Sequence, residues 1–150
     1  MADAKSILLI EDHDVVRRYY ADHLRQVFPG YFIFEATTGK TGLDLYAWQP
    51  INCVILDLSL PDMSGFQVLS QMVPHPSQPL VPVVILTSIN SQSILEVAKQ
   101  KGAFIALQKD LTPGDELARV IQKALVAIPG NGTKVAAAHP TFAASSEDSF

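Results

Sequence analysis

The sequence has little of what marks secreted or membrane proteins. It contains a single cysteine, Cys53, so no disulfide can form within the chain. This predicts that the protein resides in the reducing cytoplasm. Cys53 lies in an apolar stretch and is predicted to be a small buried hydrophobe rather than a reactive thiol. The longest apolar run, residues 80–86, is broken by Pro82 and falls far short of the roughly 20 residues that cross a bilayer. Residues 7–10 are also too few for the apolar core of a signal peptide.

Long basic runs and glycine-rich phosphate loops are absent as well. The chain carries 11 basic and 15 acidic residues, a formal net charge of −4, whereas direct nucleic-acid binding normally requires a basic surface. Neither GxGxxG nor GxxxxGK[ST] occurs, which argues against a nucleotide-binding domain. We therefore expect no direct contact with nucleic acid.

What the sequence does contain is a fivefold alternation of short apolar runs with helical patterns. Its 150 residues are 48% hydrophobic, enough for one domain whose sheet is covered on both faces. Such alternation predicts right-handed crossovers and a doubly wound parallel sheet, an α/β fold, in a domain of residues 1–128. Residues 129–150 have no periodicity and are predicted to be a disordered tail or a linker. The predicted strands are residues 6–10, 31–35, 52–56, 83–86 and 103–107.

Helix start signals accompany this pattern. Asp14 is the expected N-cap of the first helix, and Thr112 that of the last, with Pro113 in the first helical position. Ser64 and Ser91 precede the third and fourth helices in the same way.

Polar residues follow four of the five predicted strands. Glu11 and Asp12 follow the first strand, Asp57 the third, Thr87 the fourth and Lys109 the fifth. Taken singly, each has an ordinary interpretation as a cap, a turn residue or a solvated charge. Because every crossover leaves from the carboxyl end of a strand, all of them are expected at one edge of the sheet, where α/β proteins bind ligands.

The residue types in this predicted cluster suit phosphoryl transfer. Three carboxylates in one crevice repel each other and favour a compensating cation, and oxygen ligands favour Mg²⁺. Lys109 offers a compact positive charge and Thr87 a hydroxyl donor for phosphoryl oxygens. Asp57 is the expected nucleophile, because carboxylates form acyl phosphates.

With these residues the chain resembles the response-regulator receiver family of two-component signalling. The resemblance covers about residues 5–128 and implies a flavodoxin-like sheet, with strand order 2-1-3-4-5 and five helices. It implies a signalling protein rather than an enzyme, which accepts a phosphoryl group on the aspartate matching Asp57 and later loses it by autodephosphorylation. The implied donor is a phosphohistidine on a sensor histidine kinase or a histidine phosphotransfer domain. The resemblance rests on Glu11-Asp12, Asp57 followed by LSLPDMSG, Thr87-Ser88, Gly102-Ala103 and Lys109.

The resemblance also implies roles for individual residues. Asp12 and Asp57 would ligate Mg²⁺ directly, together with the backbone carbonyl of Ser59, and Glu11 would act through water.

Further along the signalling path, Thr87 and Lys109 would bind the phosphoryl oxygens and carry the signal to a downstream partner or an output domain. The fourth helix, fifth strand and fifth helix form the surface that the family uses for targets and dimers, so a homodimer through it is one expectation. Residues 129–150 leave no room for a DNA-binding domain. We expect a stand-alone receiver or the N-terminal piece of a longer protein.

Two positions depart from the family pattern. The family usually has an aromatic residue where this chain has Ala106, and a proline where it has Asp110. Strand alternation would place Phe104 on the face of Ala106, as a candidate substitute for the ring. A cis peptide without proline costs about 2.5 to 4 kcal/mol, so a trans peptide is expected after Lys109. Ile89, an apolar residue two positions past the threonine, predicts a long-lived phosphoryl group.

Two other functions stay open at this point. The departures also fit a receiver-like interaction module that has lost phosphotransfer. A Mg²⁺-dependent phosphohydrolase using Asp57 covalently is a weaker alternative, since such enzymes usually have a second acid where this chain has Ser59. His13 is expected at the solvated rim of the site, because Mg²⁺ prefers oxygen. Tyr19 and Tyr20 are assigned to helix packing.

Overall fold

A computed structural model of the protein describes residues 5–129. Within them, a five-stranded, fully parallel sheet has the order β2-β1-β3-β4-β5. The strands are β1 (Lys5–Ile10), β2 (Tyr31–Ala36), β3 (Cys53–Leu56), β4 (Val83–Thr87) and β5 (Ile105–Gln108). The helices are α1 (Asp14–Val27), α2 (Gly39–Trp48), α3 (Gly65–Met72), α4 (Gln92–Gln100) and α5 (Gly114–Ala127), with a 3₁₀ turn at Lys109–Leu111. The predicted fold class, including the strand order and the five helices, is confirmed.

Helices cover both faces of the sheet, which explains the continuous apolar runs of the central strands. On one face Ile7, Leu9 and Ile55 pack against α1 and α5. On the other, Leu8 and Val54 pack against α2, α3 and α4. Each large side chain that is fully buried in these layers contributes about 1.5 to 3 kcal/mol, and alternate strand residues serve opposite layers.

The strand register brings the predicted site residues together. Leu9 pairs with Ile55, Ile55 with Val84, and Val84 with Ile105, so one row of residues runs across four strands. The polar residues singled out above lie two to four positions beyond this row. They therefore all lie at the carboxyl edge of the sheet.

Of the four predicted helix starts, those of α3 and α4 agree with the structure and those of α1 and α5 do not. Thr38, Ser64 and Ser91 cap α2, α3 and α4 through their side chains. For α1 the N-cap is His13, not Asp14, because the backbone is still extended at His13 and becomes helical only at Asp14.

The start of α5 is also one step later than predicted. Pro113 is extended and occupies the N-cap position without a side-chain hydrogen bond, so the helix begins at Gly114. The Thr112 hydroxyl is not a cap, since it donates backwards to the carbonyl oxygen of Gln108 at 2.7 Å.

The last strand begins at Ile105, two residues later than predicted, because residues 101–104 belong to the turn that follows α4. Phe104 therefore does not share a face with Ala106. It packs with Ile105 and Leu107 on the α1 and α5 side, whereas Ala106 packs on the opposite side. The expectation that Phe104 substitutes for the missing ring is wrong.

Two simpler predictions are confirmed. Cys53 is fully buried, and burial raises the pKa of its thiol to about 12. No cis peptide occurs within residues 5–129, so the bond after Lys109 is trans. Of the predicted tail, residues 130–150 lie outside the described part of the chain. In the part that is described, no helix combines the length and the apolar character needed to cross a membrane.

Candidate phosphoacceptor site

The site is built around Asp57, the first residue after β3. Its backbone N–H continues the sheet by donating to the carbonyl oxygen of Ile10, and its side chain is almost fully buried. The following loop folds back closely: Gly65 N–H donates to the carbonyl oxygen of Leu58 at 2.9 Å. A Cβ at Gly65 would collide with the backbone of Asp57 and Leu58. Ser59 N–H donates to Asp57 Oδ1 at 3.2 Å, so the loop orients the carboxylate that precedes it.

A second acid from the same loop ties it to the neighbouring helix. The Asp62 carboxylate accepts the N–H groups of Gly39 and Lys40 at 2.8 and 2.9 Å. Both hydrogen bonds lower the pKa of the Asp62 carboxyl, and the one from Gly39 has the larger effect. The first N–H groups of α2, which have no partner within the helix, thereby hold the loop that follows Asp57.

Glu11 and Asp12 reach the site from the end of β1. Glu11 is buried, and its Oε2 accepts the backbone N–H of His13 at 3.0 Å. Asp12 is exposed. One carboxylate oxygen from each of Glu11, Asp12 and Asp57 lies within 4.8 Å of the other two. The structure thus brings together the three acids that the sequence predicted.

Lys109 enters this cluster from the end of β5. Its Nζ lies 2.6 Å from Glu11 Oε1 and 2.9 Å from Asp57 Oδ2. Burial alone would lower the pKa of Lys109, but its hydrogen bonds to Glu11 and Asp57 and their charges outweigh burial and raise the pKa. Lys109 is therefore a cation that links two of the three acids.

Thr87 is the last residue of β4 and is fully buried. Its hydroxyl accepts the N–H of Ile89 at 3.3 Å, and within residues 5–129 it makes no hydrogen bond to Asp57. The structure places Thr87 on the strand beside β3, at the same edge as the acids, without joining it to them.

Two arginines of α1 and a glutamate of β2 form an ion-pair cluster beside the site that sequence reasoning missed. Arg17 donates to the carbonyl oxygen of Glu11 at 3.2 Å and contacts Glu35 and Asp14 at 3.0 and 2.8 Å. Arg25 reaches Glu35 at 2.7 Å. Burial would raise the pKa of Glu35, but hydrogen bonds from Arg25 and Arg17 lower it. Through the hydrogen bond of Arg17 to the carbonyl oxygen of Glu11, the cluster holds the backbone of the acid pair in place.

Comparison with known proteins assigns the family. The family model described as response regulator receiver domain matches residues 7–122. The chain belongs to this family. As a receiver domain, it is a signalling module of two-component systems.

Relatives and solved structures agree with the assignment. A probable cyclic di-GMP phosphodiesterase of Vibrio cholerae is 31% identical over 98 residues, which are 65% of this chain and 22% of the relative. The transcriptional regulatory protein SrrA of Staphylococcus aureus is 28% identical over 117 residues, 78% of this chain and 46% of the relative. This chain thus spans less than half the length of either curated relative.

Among solved structures, the receiver domain of a putative Luxo repressor protein from Vibrio parahaemolyticus is 27% identical, with a TM-score of 0.72 over 85% of this chain and 94% of that one. A CheY-like receiver from Methanospirillum hungatei is 25% identical, with a TM-score of 0.68 over 81% of this chain and 94% of that one. Both are receivers over nearly their whole length.

Receiver domains bind Mg²⁺ at an acidic pocket, and the donor set of this receiver fits that ion. Three carboxylates face one ammonium, which leaves two uncompensated negative charges when all are ionised. Among residues 5–129, Asp12 has no ion-pair partner, so its oxygens are available. Hard carboxylate oxygens are the ligands that Mg²⁺ prefers. The ring of His13 instead accepts the N–H of Val16 at 3.4 Å and caps α1.

Sequence reasoning assigned Tyr19 and Tyr20 to helix packing only, and here it missed contacts. The Tyr20 hydroxyl donates to the carbonyl oxygen of Thr112 at 2.7 Å, and the Tyr19 hydroxyl accepts the N–H of Gly114 at 2.9 Å. A usable signal was present, since a buried tyrosine normally needs a partner for its hydroxyl. The identity of that partner could not be read from the sequence.

Proposed function

We propose that this receiver domain accepts a phosphoryl group on Asp57, from a phosphohistidine of a sensor histidine kinase or a histidine phosphotransfer domain. The observation that carries the proposal is the buried Asp57 carboxylate held 2.9 Å from Lys109 Nζ, with the oxygens of Glu11 and Asp12 beside it. A buried nucleophilic carboxylate, a fixed cation and a cation-binding acid pair are the parts that phosphoryl transfer needs.

In the proposed reaction an oxygen of Asp57 attacks the phosphorus atom. The bond between phosphorus and the donor imidazole nitrogen breaks, its electron pair stays on that nitrogen, and an acyl phosphate forms. Lys109 then exchanges its contacts with Glu11 and Asp57 for a contact with one phosphoryl oxygen. The Thr87 hydroxyl, which accepts the N–H of Ile89 in the structure, turns to donate to a second phosphoryl oxygen. Water later attacks the phosphorus atom, the bond between phosphorus and the Asp57 oxygen breaks, and inorganic phosphate leaves while the carboxylate is restored.

Mg²⁺ would be held by Asp12, Asp57 and the backbone carbonyl of Ser59, with Glu11 acting through water. When bound, it would neutralise charge on the transferring group.

The free energy of these local changes is comparable with what a switch of the whole domain requires. Phosphorylation adds about −1.5 to −2 charges, and two charge-assisted hydrogen bonds at about 1.5 to 3 kcal/mol each total about 3 to 6 kcal/mol. Moving a two-state equilibrium from mostly inactive to mostly active requires about 5.5 kcal/mol. The new contacts at Thr87 and Lys109 are therefore of the same order as the requirement, before the contacts that Lys109 gives up at Glu11 and Asp57 are subtracted.

An apolar groove beside the site supports docking of a donor protein. The groove encloses about 530 Å³. Two of its apolar residues, Val15 and Tyr19, are 72% and 44% exposed. Exposed apolar surface of this kind commonly marks a protein interface. It is lined by Val15, Val16, Tyr19, Tyr20, Ser88, Lys109 and Asp110.

Output would leave through α4, β5 and α5, toward a downstream partner, an output domain or a second copy of the chain. Gln108 Nε2 donates to Asn90 Oδ1 at 2.7 Å and ties the loop after Thr87 to β5. Ala106 packs in the same core layer as Ile89 and Ile94, so in this proposal apolar side chains transmit the change where an aromatic ring is missing.

The proposal is tested with a radiolabelled small phosphodonor and Mg²⁺. Wild type should be labelled, and Asp57→Asn should not. If wild type stays unlabelled with both the small donor and a phosphorylated histidine phosphotransfer domain, the chain is an interaction module without phosphotransfer. Steady release of phosphate from phosphate esters would instead indicate a phosphohydrolase.

A further inference from the structure

The turn that joins β5 to α5 presents Lys109 to the acids, and its own sequence does little to fix it. Lysine has a flexible four-carbon stem, so the direction of its ammonium depends on a well-held backbone. Two hydrogen bonds are internal to this region: the Thr112 hydroxyl donates to the carbonyl oxygen of Gln108, and the Thr112 N–H donates to that of Lys109 at 3.2 Å. The other side-chain contacts to the backbone of this turn come from α1.

Tyr20 of α1 supplies the central contact. Its side chain is 4% exposed, and its hydroxyl donates to the carbonyl oxygen of Thr112 at 2.7 Å. The same hydroxyl lies 3.4 Å from the carbonyl oxygen of Lys109. A single phenol thus contacts the backbone at both ends of the 3₁₀ turn. Because Thr112 is itself buried, loss of the phenol would leave its carbonyl oxygen without that partner in the interior.

Tyr19 contacts the far end of the same turn. Its hydroxyl accepts the N–H of Gly114, the first residue of α5. Since Pro113 has no side-chain group to cap this helix, Tyr19 caps it from α1. The Tyr19 and Tyr20 rings lie edge to face at 4.9 Å, so each restrains the other. A Cβ at Gly114 would collide with the ring of His23, so only glycine lets α5 begin this close to α1.

We propose that Tyr20, supported by Tyr19, is a positioning residue for Lys109. The two phenols fix the backbone of the turn, and this fixes the ammonium between Glu11 and Asp57. Tyr20 touches neither acid, so its effect is exerted through Lys109. The consequence for phosphorylation rests on the proposed function, whereas the placement of the ammonium does not.

The test compares Tyr20→Phe with wild type, first without magnesium or phosphodonor. Nitrogen-15 NMR of lysine ammonium groups reports how fast each exchanges protons with water, and Lys109→Arg identifies the Lys109 signal by removing it. In wild type the two short ion-pair contacts should slow exchange. In the Tyr20→Phe variant, the rate at which the Lys109 ammonium exchanges protons with water should rise about tenfold, which corresponds to about 1.4 kcal/mol of lost interaction. Tyr19→Phe should change exchange in the same direction by a smaller factor.

The second readout is the rate of phosphorylation by a small phosphodonor with Mg²⁺. We expect Tyr20→Phe to lower it about tenfold, because a displacement of about 1 Å can cost up to about 100-fold. Tyr31→Phe is the matched control. The Tyr31 ring also packs edge to face on an aromatic neighbour, Phe28, with ring centroids 5.2 Å apart. Tyr31, however, is the first residue of β2, at the opposite edge of the sheet. Both readouts should stay within about twofold of wild type in this variant, since substitutions away from such contacts usually change free energies by no more than about 0.5 kcal/mol.

The outcomes separate the two proposals. If Tyr20→Phe leaves ammonium exchange unchanged, or if Tyr31→Phe alters it equally, the positioning role is overturned. If ammonium exchange rises in Tyr19→Phe and Tyr20→Phe but not in Tyr31→Phe, while wild type takes no label, the positioning role is supported and the proposed phosphotransfer is refuted. Should Tyr20→Phe not fold, unchanged exchange in Tyr19→Phe would overturn the role by itself.

Discussion

Replacing Lys109 with methionine tests whether the acid cluster depends on this one cation. Lys109 Nζ lies 2.6 Å from Glu11 Oε1 and 2.9 Å from Asp57 Oδ2, and the two carboxylate side chains are only 2% and 5% exposed. Methionine keeps an unbranched side chain but removes the charge. Both carboxylates would then be buried without a cation, with Asp12 as a third negative neighbour.

The expected loss follows from this burial. Removing one partner of a buried ion pair destabilises a protein by about 3 to 5 kcal/mol. The Lys109 side chain is 16% exposed and Asp12 lies at the surface, so water reaches one side of the cluster. We therefore expect a loss at the lower end of this range, about 3 kcal/mol. In a domain of this size that corresponds to a fall in Tm of about 10 °C. A divalent cation would replace the missing charge, so magnesium should stabilise the variant more than wild type.

The assay is urea unfolding followed by circular dichroism, in EDTA and in excess magnesium. Lys40→Met is the matched control, because Lys40 pairs with Asp44 at 3.1 Å on the surface, where the two side chains are 76% and 60% exposed. Its loss should stay below about 0.5 kcal/mol and should not depend on magnesium. The reasoning is refuted if Lys109→Met in EDTA loses no more stability than Lys40→Met, or if magnesium does not narrow its gap to wild type.

Three further predictions concern the lifetime of the proposed phosphoryl group, the loop that follows Asp57, and the pH dependence of stability. Ile89→Glu should speed loss of label from the phosphorylated domain several-fold, because a polar side chain there admits water; equal lifetimes would contradict this. Gly65→Ala should cost about 1 to 3 kcal/mol in urea unfolding, whereas Gly30→Ala, where a Cβ meets nothing within 4 Å, should cost almost nothing; equal costs would show that the loop can shift. Because its arginine partners lower the pKa of Glu35 below its ordinary value of 4.5, this residue stabilises the fold above that value and loses the contribution as pH falls through the lowered pKa. Wild type should therefore lose stability on acidification more steeply than Glu35→Gln, and parallel curves would count against the ion pairs.

Much of the site could be predicted because its residues follow strands whose apolar runs are continuous. Burial on both faces makes such strands readable without knowledge of their neighbours, and the direction of crossovers places their carboxyl ends at one edge. The convergence of Glu11, Asp12 and Asp57 followed from these two rules. The pairing of Lys109 with two of those acids did not, because the end of a flexible side chain is not determined by strand order.

Errors occurred where a local pattern competed with backbone geometry in a turn. His13 rather than Asp14 caps α1, and Pro113 rather than Thr112 precedes α5, because the residue at which the chain turns helical depends on how the turn is held. The alternation that placed Phe104 beside Ala106 failed for a related reason, since the strand begins only after Phe104.

The order and type of the elements, and the edge at which the acids, the threonine and the lysine gather, could be predicted from the residues alone. Periodic burial and chain direction are properties that neighbouring residues carry. Which side chains contact each other follows only from the packing of the folded domain. The Tyr20 hydroxyl meets the carbonyl oxygen of Thr112, 92 positions away along the chain, and such a contact exists only after α1 and α5 have packed on the same face of the sheet. Hydrogen bonds and ion pairs between distant segments form or fail with differences of a few tenths of an ångström between donor and acceptor, and only the packing of the whole domain sets those distances.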